Sequence, residues 1–357
     1  MKCKRYISVT VLLAALMLTA CSGHDEAEAV QQPEPELISY TVSNASTRST
    51  VINGTSFPAG KSFRVWAFDQ VEGTTVINGD KVSSTDGSVW STQEKHYWPQ
   101  SNSVRFYALY PTSLSLNTSA MAFTYTMPTA VASQEDVLYD TETASRTDDR
   151  VSHNAIKRYA LPITFHHALA QVAFKGRVSA DNPAWTVNVS GITLCNIYGT
   201  GTFDLNNKSW GGLTGLTSTA IGIRKAGTLV YSAGADAANL TAADGALLVI
   251  PQQLKAWDLK TNVSSAKGCY LAISCHINNG TTDINGTAET PQTIYVPFDN
   301  AGTQWKQGCR YTYTLQFGSG LDANGQKQLE ILVVESEITD WLSGDGGDLD
   351  AKMTTED

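Results

Sequence analysis

Cys21 is the residue with the most pointed chemistry in the chain. It closes the run Leu18-Thr19-Ala20-Cys21, behind Lys2, Lys4, Arg5 and an uncharged apolar stretch from Ile7 to Ala20. That stretch falls short of the roughly 20 residues needed to cross a hydrocarbon core of about 30 Å. Its basic start and apolar middle are those of a secretory signal. An ordinary signal ends on small residues, whereas this one ends on a thiol, in the pattern of a bacterial lipobox. In that pattern the chain is cut between Ala20 and Cys21, and the cysteine carries a diacylglycerol. Each buried acyl CH₂ contributes about 0.8 kcal/mol, so several chains on one residue hold a soluble body at a membrane. Ser22 to Glu28 (SGHDEAE) and then Gln31 to Glu36 (QQPEPE) are too polar and small to pack a core. They read as a tether.

The other chemical groups carry weaker signals. His166-His167 invites a metal reading, but neighbouring side chains of a strand point to opposite faces, so the pair cannot chelate one ion alone. Asp345, Asp348 and Asp350 offer carboxylates for calcium, without the spacing of a calcium loop. They read as a solvated tail. Besides Cys21, four cysteines remain in the secreted part: Cys195, Cys269, Cys275 and Cys309. In the extended run CYLAISC, Cys269 and Cys275 would stand about 20 Å apart, beyond the roughly 7 Å that a disulfide allows. Cys309 opens a later strand and could oppose one of them, although free buried thiols are the favoured reading. No cysteine or histidine pair has zinc spacing, so neither a metal site nor a cofactor is expected. Eight tryptophans (Trp66, Trp90, Trp98, Trp185, Trp210, Trp257, Trp305 and Trp341) could include a platform for a sugar ring. Trp90, Trp185 and Trp210 lie in polar surroundings and are the best candidates for it. Trp66 and Trp341 read as core. The sequons at Asn53, Asn117 and Asn188 read as turn chemistry. There is no G-x-S-x-G, H-E-x-x-H, phosphate loop or carboxylate-pair signature, so no enzyme is expected.

The elements that position these groups are strands. SFRVWAF (62–68), SVRFYALY (103–110), MAFTYTM (121–127), TVNVSGITLC (186–195), GALLVIP (245–251), CYLAISC (269–275), QTIYVPF (292–298), RYTYTLQF (310–317) and LEILVVESEI (329–338) alternate with a period near two. They are rich in β-branched and aromatic residues. Gly, Asn, Asp and Ser crowd the gaps, and no long segment keeps a helical period. The predicted fold is all-β, in stacked sandwiches. Removing residues 1–20 takes away three basic residues and no acid. That leaves 22 basic against 34 acidic residues, a formal charge of −12. Such a chain lacks the basic footprint of a nucleic-acid binder. The polar stretch 140–158 precedes the apolar run 159–176, which predicts a boundary near residue 160. The expected division is a signal (1–20), an acidic tether (21–36), an N-terminal sandwich (37–160), a C-terminal sandwich (161–343) and an acidic tail (344–357).

In order, several stretches resemble the fimbrillin family, the Mfa-like and FimA-like pilus subunits of anaerobic Gram-negative bacteria. They are the lipobox and acids of Cys21–Glu28, then SYTVSNASTRS (39–49), FRVWAF (63–68), HYWPQSNSVRFYALYP (96–111) and EDVLYD (135–140). LPITFHHALAQVAFK (161–175), ALLVIPQQL (246–254), WKQGCRYTYTLQF (305–317) and EITDWLSGDGG (337–347) follow. The acids after Cys21 also resemble an export signal that sends lipoproteins to the outside of the outer membrane. The resemblance implies two tandem transthyretin-like (Greek-key) β-sandwich domains and a non-enzymatic subunit of a surface fimbria. It also implies a lipoprotein precursor, held at the outer membrane through Cys21, that a trypsin-like protease cuts after Arg48, before Ser49. The lost strand would leave a groove that a strand of another subunit fills. A stalk subunit should also carry an apolar C-terminal donor strand. Here LSGDGGDLDAKMTTED (342–357) alternates only through Leu349, Ala351 and Met353, short for a strand of about 5–6 residues. The chain therefore reads as a tip or accessory subunit. Two alternatives stand beside it: a monomeric surface lipoprotein that binds a host or bacterial glycan or protein, and an uncleaved anchor subunit.

Overall fold

The computed structural model describes residues 36–44, 57–152, 159–223, 228–242, 245–255, 268–298, 304–318 and 331–340. Ala20, Cys21, Arg48, Ser49, Asn53, Trp257, Trp341 and the acidic tail lie outside them. Among the described residues, apart from one 3₁₀ turn at Val131–Ser133, the regular elements are strands. In chain order they begin with β1 (Ser39–Asn44), β2 (Ser62–Asp69), β3 (Thr75–Ser83), β4 (Ser91–Thr92), β5 (Val104–Tyr110), β6 (Ala122–Thr126), β7 (Leu138–Ala144) and β8 (Ala160–His167). Then come β9 (Ala170–Val178), β10 (Thr186–Asp204), β11 (Ser209–Ala220), β12 (Leu229–Val230), β13 (Ala238–Asn239) and β14 (Leu247–Val249). The last are β15 (Tyr270–Asn278), β16 (Asp283–Asn285), β17 (Gln292–Pro297), β18 (Cys309–Phe317) and β19 (Ile331–Asp340).

The strands form three sheets. The first runs β1-β8-β7-β5-β2-β3-β4. The second runs β11-β10-β15-β16, with β6 and β12 also on β10 and β17 on β15. The third runs β13-β9-β18-β19, with β14 on β9. The alternation read from the sequence is realised in these elements. In β15 every second residue, from Leu271 to Ile277, is buried. β10 is long enough to pair with β15 and β12 near its start and with β6 near its end. Register shifts between Cys195 and Ile197 and between Thr200 and Thr202 bend it along the way.

Two apolar clusters fill the interior. One holds Tyr40, Phe57, Phe63, Trp90, Trp98, Phe106 and Phe165. The other holds Phe123, Phe174, Phe203, Trp305, Tyr311 and Tyr313. The first sheet serves both. On β5, Phe106, Ala108 and Tyr110 face the first cluster, while Tyr107 and Leu109 face the second. On β2, Phe63, Val65 and Ala67 face one cluster and Trp66 the other. From Glu36 onward the chain packs as one unit.

β8 hydrogen-bonds to β1 and β7, so residues 160–167 belong to the first sheet. The change of sheet comes at Ala168 and Leu169, between β8 and β9. β8 buries alternate residues, Leu161, Ile163, Phe165 and His167, whereas β9 buries Ala170 through Phe174 in succession. The polar stretch 140–158 is also not all loop. Its start is β7, and Arg150 then ties the turn together through Glu142, Asp148 and the Thr143 carbonyl.

Candidate functional site

The first sheet would be open at β1 and β4, but β1 closes it. On one side β1 runs parallel to β8, from Ser39 opposite Ala160 to Asn44 opposite Phe165. On the other side it meets residues 90–98. Tyr40 N–H donates to the Trp90 carbonyl at 2.8 Å, and Trp90 N–H returns the bond at 3.1 Å. Ile38 N–H donates to His96 O, and Trp98 N–H donates to Glu36 O, both at 2.9 Å. Since Trp90 adjoins β4, these bonds join the two ends of the sheet through β1. The leader strand is therefore the closing stave of a ring.

Its side chains follow the period of two. Ile38 and Tyr40 are buried and Val42 is half-buried, all against the first cluster. The Tyr40 ring meets Phe63 and Phe106 edge-on, with centroids 6.4 and 6.3 Å away. Its hydroxyl is fully buried and has no hydrogen-bond partner. Burial, with Asp80 nearby, drives the phenol pKa far above its usual value. A buried polar group left without a bond costs free energy. At the strand's start, Arg146 Nη1 holds Glu36 Oε2 at 3.0 Å.

β8 depends on β1. Its pairing with β7 is limited to His167 opposite Leu138 and His166 opposite Tyr139. Beyond that point the strands part, and the Asp140 carboxylate stands in the gap. It accepts the Thr164 and Thr141 N–H groups, each at 2.8 Å. Burial pushes its pKa up to about 7, against the pull of those two bonds. A side chain thus takes the place of a backbone rung.

The sequence-singled residues fall as follows. His167 is buried with Nδ1 2.8 Å from Asp136 Oδ2, while His166 is half-buried beside Tyr139. Burial lowers the His166 pKa. The pair points two ways, as strand geometry requires. Trp90, Trp185 and Trp210 pack within the fold and offer no sugar platform. Trp90 and Trp185 are buried. Trp210 is half-buried against Phe123 and Phe203, and its indole N–H donates to Ala168 O at 2.6 Å. Trp66, Trp98 and Trp305 are buried too. Among the described residues, Cys195, Cys269, Cys275 and Cys309 form no disulfide, and burial pushes the Cys275 thiol up to about 12. Asn117 caps a turn by accepting Ser119 and Ala120 N–H.

Sequence reasoning missed the residues that make β1 a closing stave. Trp90, His96 and Trp98 act through backbone groups, which no motif records. Asp140 could have been found as a carboxylate inside the apolar run VLYD.

The comparisons agree with this architecture. No curated protein sequence matches the chain. Among solved structures, a fimbrial protein from Bacteroides vulgatus superposes with a TM-score of 0.55 at 15% identity, covering 85% of this chain and 99% of that one. The tip fimbrial protein Mfa3 from Porphyromonas gingivalis, with C-terminal truncation, gives 0.42 at 13% identity, covering 86% and 99%. The sequence profile described as fimbrillin-like matches residues 47–341, most of the chain. The chain belongs to the fimbrillin-like family.

Proposed function

We propose that this protein is a structural, non-enzymatic subunit of a surface fimbria, at its tip or as an accessory. In this reading the precursor is exported as a lipoprotein through Cys21 and cut after Arg48. β1 then leaves, and a strand of another subunit takes its place. Family membership and the fold shared with a fimbrial protein support the fimbrial role.

The observation that carries the strand exchange is the bonding of β1 on both edges. Its loss would strip backbone partners from residues 160–165 and from Trp90, His96 and Trp98 at once. Unpaired backbone groups on a sheet edge are costly, and an incoming strand restores them. The vacated groove would offer two deep positions, those of Ile38 and Tyr40, and a shallower one at Val42. A donor with alternating apolar residues, bulky at the centre, suits them. Leu349, Ala351 and Met353 place a small residue at that centre, which supports a subunit that accepts a strand rather than one that donates.

The test is the N-terminal sequence and intact mass of the protein recovered from cell-surface material. A start at Ser49 is expected. A single species beginning at acylated Cys21 would overturn the exchange reading and leave the anchor or the glycan-binding lipoprotein.

A further inference from the structure

One cluster near β1 has no part in the reading above. Asp80 on β3 and His96 in the segment after β4 meet with Oδ2 and Nε2 2.6 Å apart. A carboxylate oxygen of Glu94 lies within 4.8 Å of both atoms. Among the described residues this is the one group where three metal-competent side chains converge. Neither the 14-residue gap from Asp80 to Glu94 nor the Glu94-x-His96 spacing matches a short motif, so nothing in the sequence marks the cluster.

We propose that Asp80, Glu94 and His96 form a zinc site that pins the wall of the groove against β1. The donor set selects the ion. Imidazole favours zinc and its first-row neighbours over calcium or magnesium, and carboxylates at about 2.0–2.2 Å complete a site of three protein ligands and water. Two ligands are held in place. Asp80 sits in the β2–β3 ladder opposite Val65. His96 is fixed through its own carbonyl, which accepts the Ile38 N–H. Both side chains are mostly buried, at 28% and 17% exposed. Glu94 is exposed, so its side chain is free to swing onto an ion entering from solvent. Bound there, zinc would tie β3 to the segment that bonds Glu36, Ile38 and Tyr40. The ion would then hold the leader strand in its groove, whether or not the strand is later exchanged.

The experiment is zinc titration of the full chain, purified in detergent and stripped of metal, by calorimetry. It is repeated with cobalt(II), whose visible absorption reports its coordination. One equivalent of tight zinc is expected, with a cobalt band. Glu94→Gln, at an exposed position, should keep the fold and weaken binding roughly tenfold, while His96→Gln should abolish the cobalt band. Hydrogen exchange at the Ile38 and Tyr40 amides should slow with zinc, up to about tenfold at free zinc ten times Kd if the ion binds only the closed form. Absence of a stoichiometric zinc site, or equal binding by both variants, would overturn the site. Zinc binding that leaves those two amides unchanged would overturn its hold on β1.

Discussion

β1 and β9 are built alike on one edge and differently on the other. Each runs parallel to a later strand: β1 to β8, β9 to β18. β9 also has β13 and β14 on its other edge, follows β8 after only two residues, and buries Val172, Phe174 and Val178. β1 has no second strand of comparable length. Its other edge rests on a few bonds to residues 90–98, one of its two buried side chains carries an unpaired hydroxyl, and its start is held by one ion pair. β9 therefore has strand partners on both edges, whereas β1 has one on a single edge and isolated bonds on the other.

The largest expected effect tests this difference directly. Phe174 packs against Phe298 and Tyr313, at centroid distances of 5.9 and 5.8 Å. Phe174→Ala should cost about 3–5 kcal/mol in urea unfolding followed by tryptophan fluorescence. Tyr40→Ala removes a ring of similar size, but its cost is capped by the docking energy of β1. It should appear as lost exchange protection along β1 and 160–165, with a smaller shift of the global midpoint. Equal global shifts would end the comparison.

Asp140 gives the next effect, through pH. Its folded pKa of about 7 lies above the ordinary 3.8, so the folded state holds the proton where the unfolded chain has lost it. This contribution is full below about pH 4 and is lost as pH rises through about 7. Asp140→Asn should flatten the pH dependence of stability between about pH 4 and 7. A parent curve that rises through this window would refute the assignment.

Tyr40→Phe should strengthen β1 docking by about 1 kcal/mol, since it removes a buried hydroxyl that has no partner. Slower exchange at the Tyr40 amide is the readout, and faster exchange would show that the hydroxyl is satisfied in solution. The smallest effect is at the strand's start. A double-mutant cycle on Glu36 and Arg146, both partly exposed, should give a coupling of up to about 1 kcal/mol that falls with added salt.

The strands at 62–68, 103–110, 186–195 and 310–317 were legible because a half-buried strand writes its pleat into the sequence as alternation. β3 was not, because TVINGDKVS mixes glycine and charge into a partly exposed strand. The extent of β10 beyond Cys195 was hidden by its glycines and threonines. The candidate site was legible only in part. The leader strand and its arginine stood out, but the partners of β1 did not, because they bond through backbone groups of residues 50 to 120 positions away.

The sequence by itself determined the class of fold, the alternating apolar faces, the family and the thiol at Cys21. These depend on residue type and short spacing, which a linear chain carries in full. Only the tertiary structure decided that the first sheet has two buried faces, that β8 belongs with β1, and that Asp80, Glu94 and His96 meet. Those outcomes depend on which strands become neighbours, and that choice is made by packing across the whole core rather than by any residue's local preference.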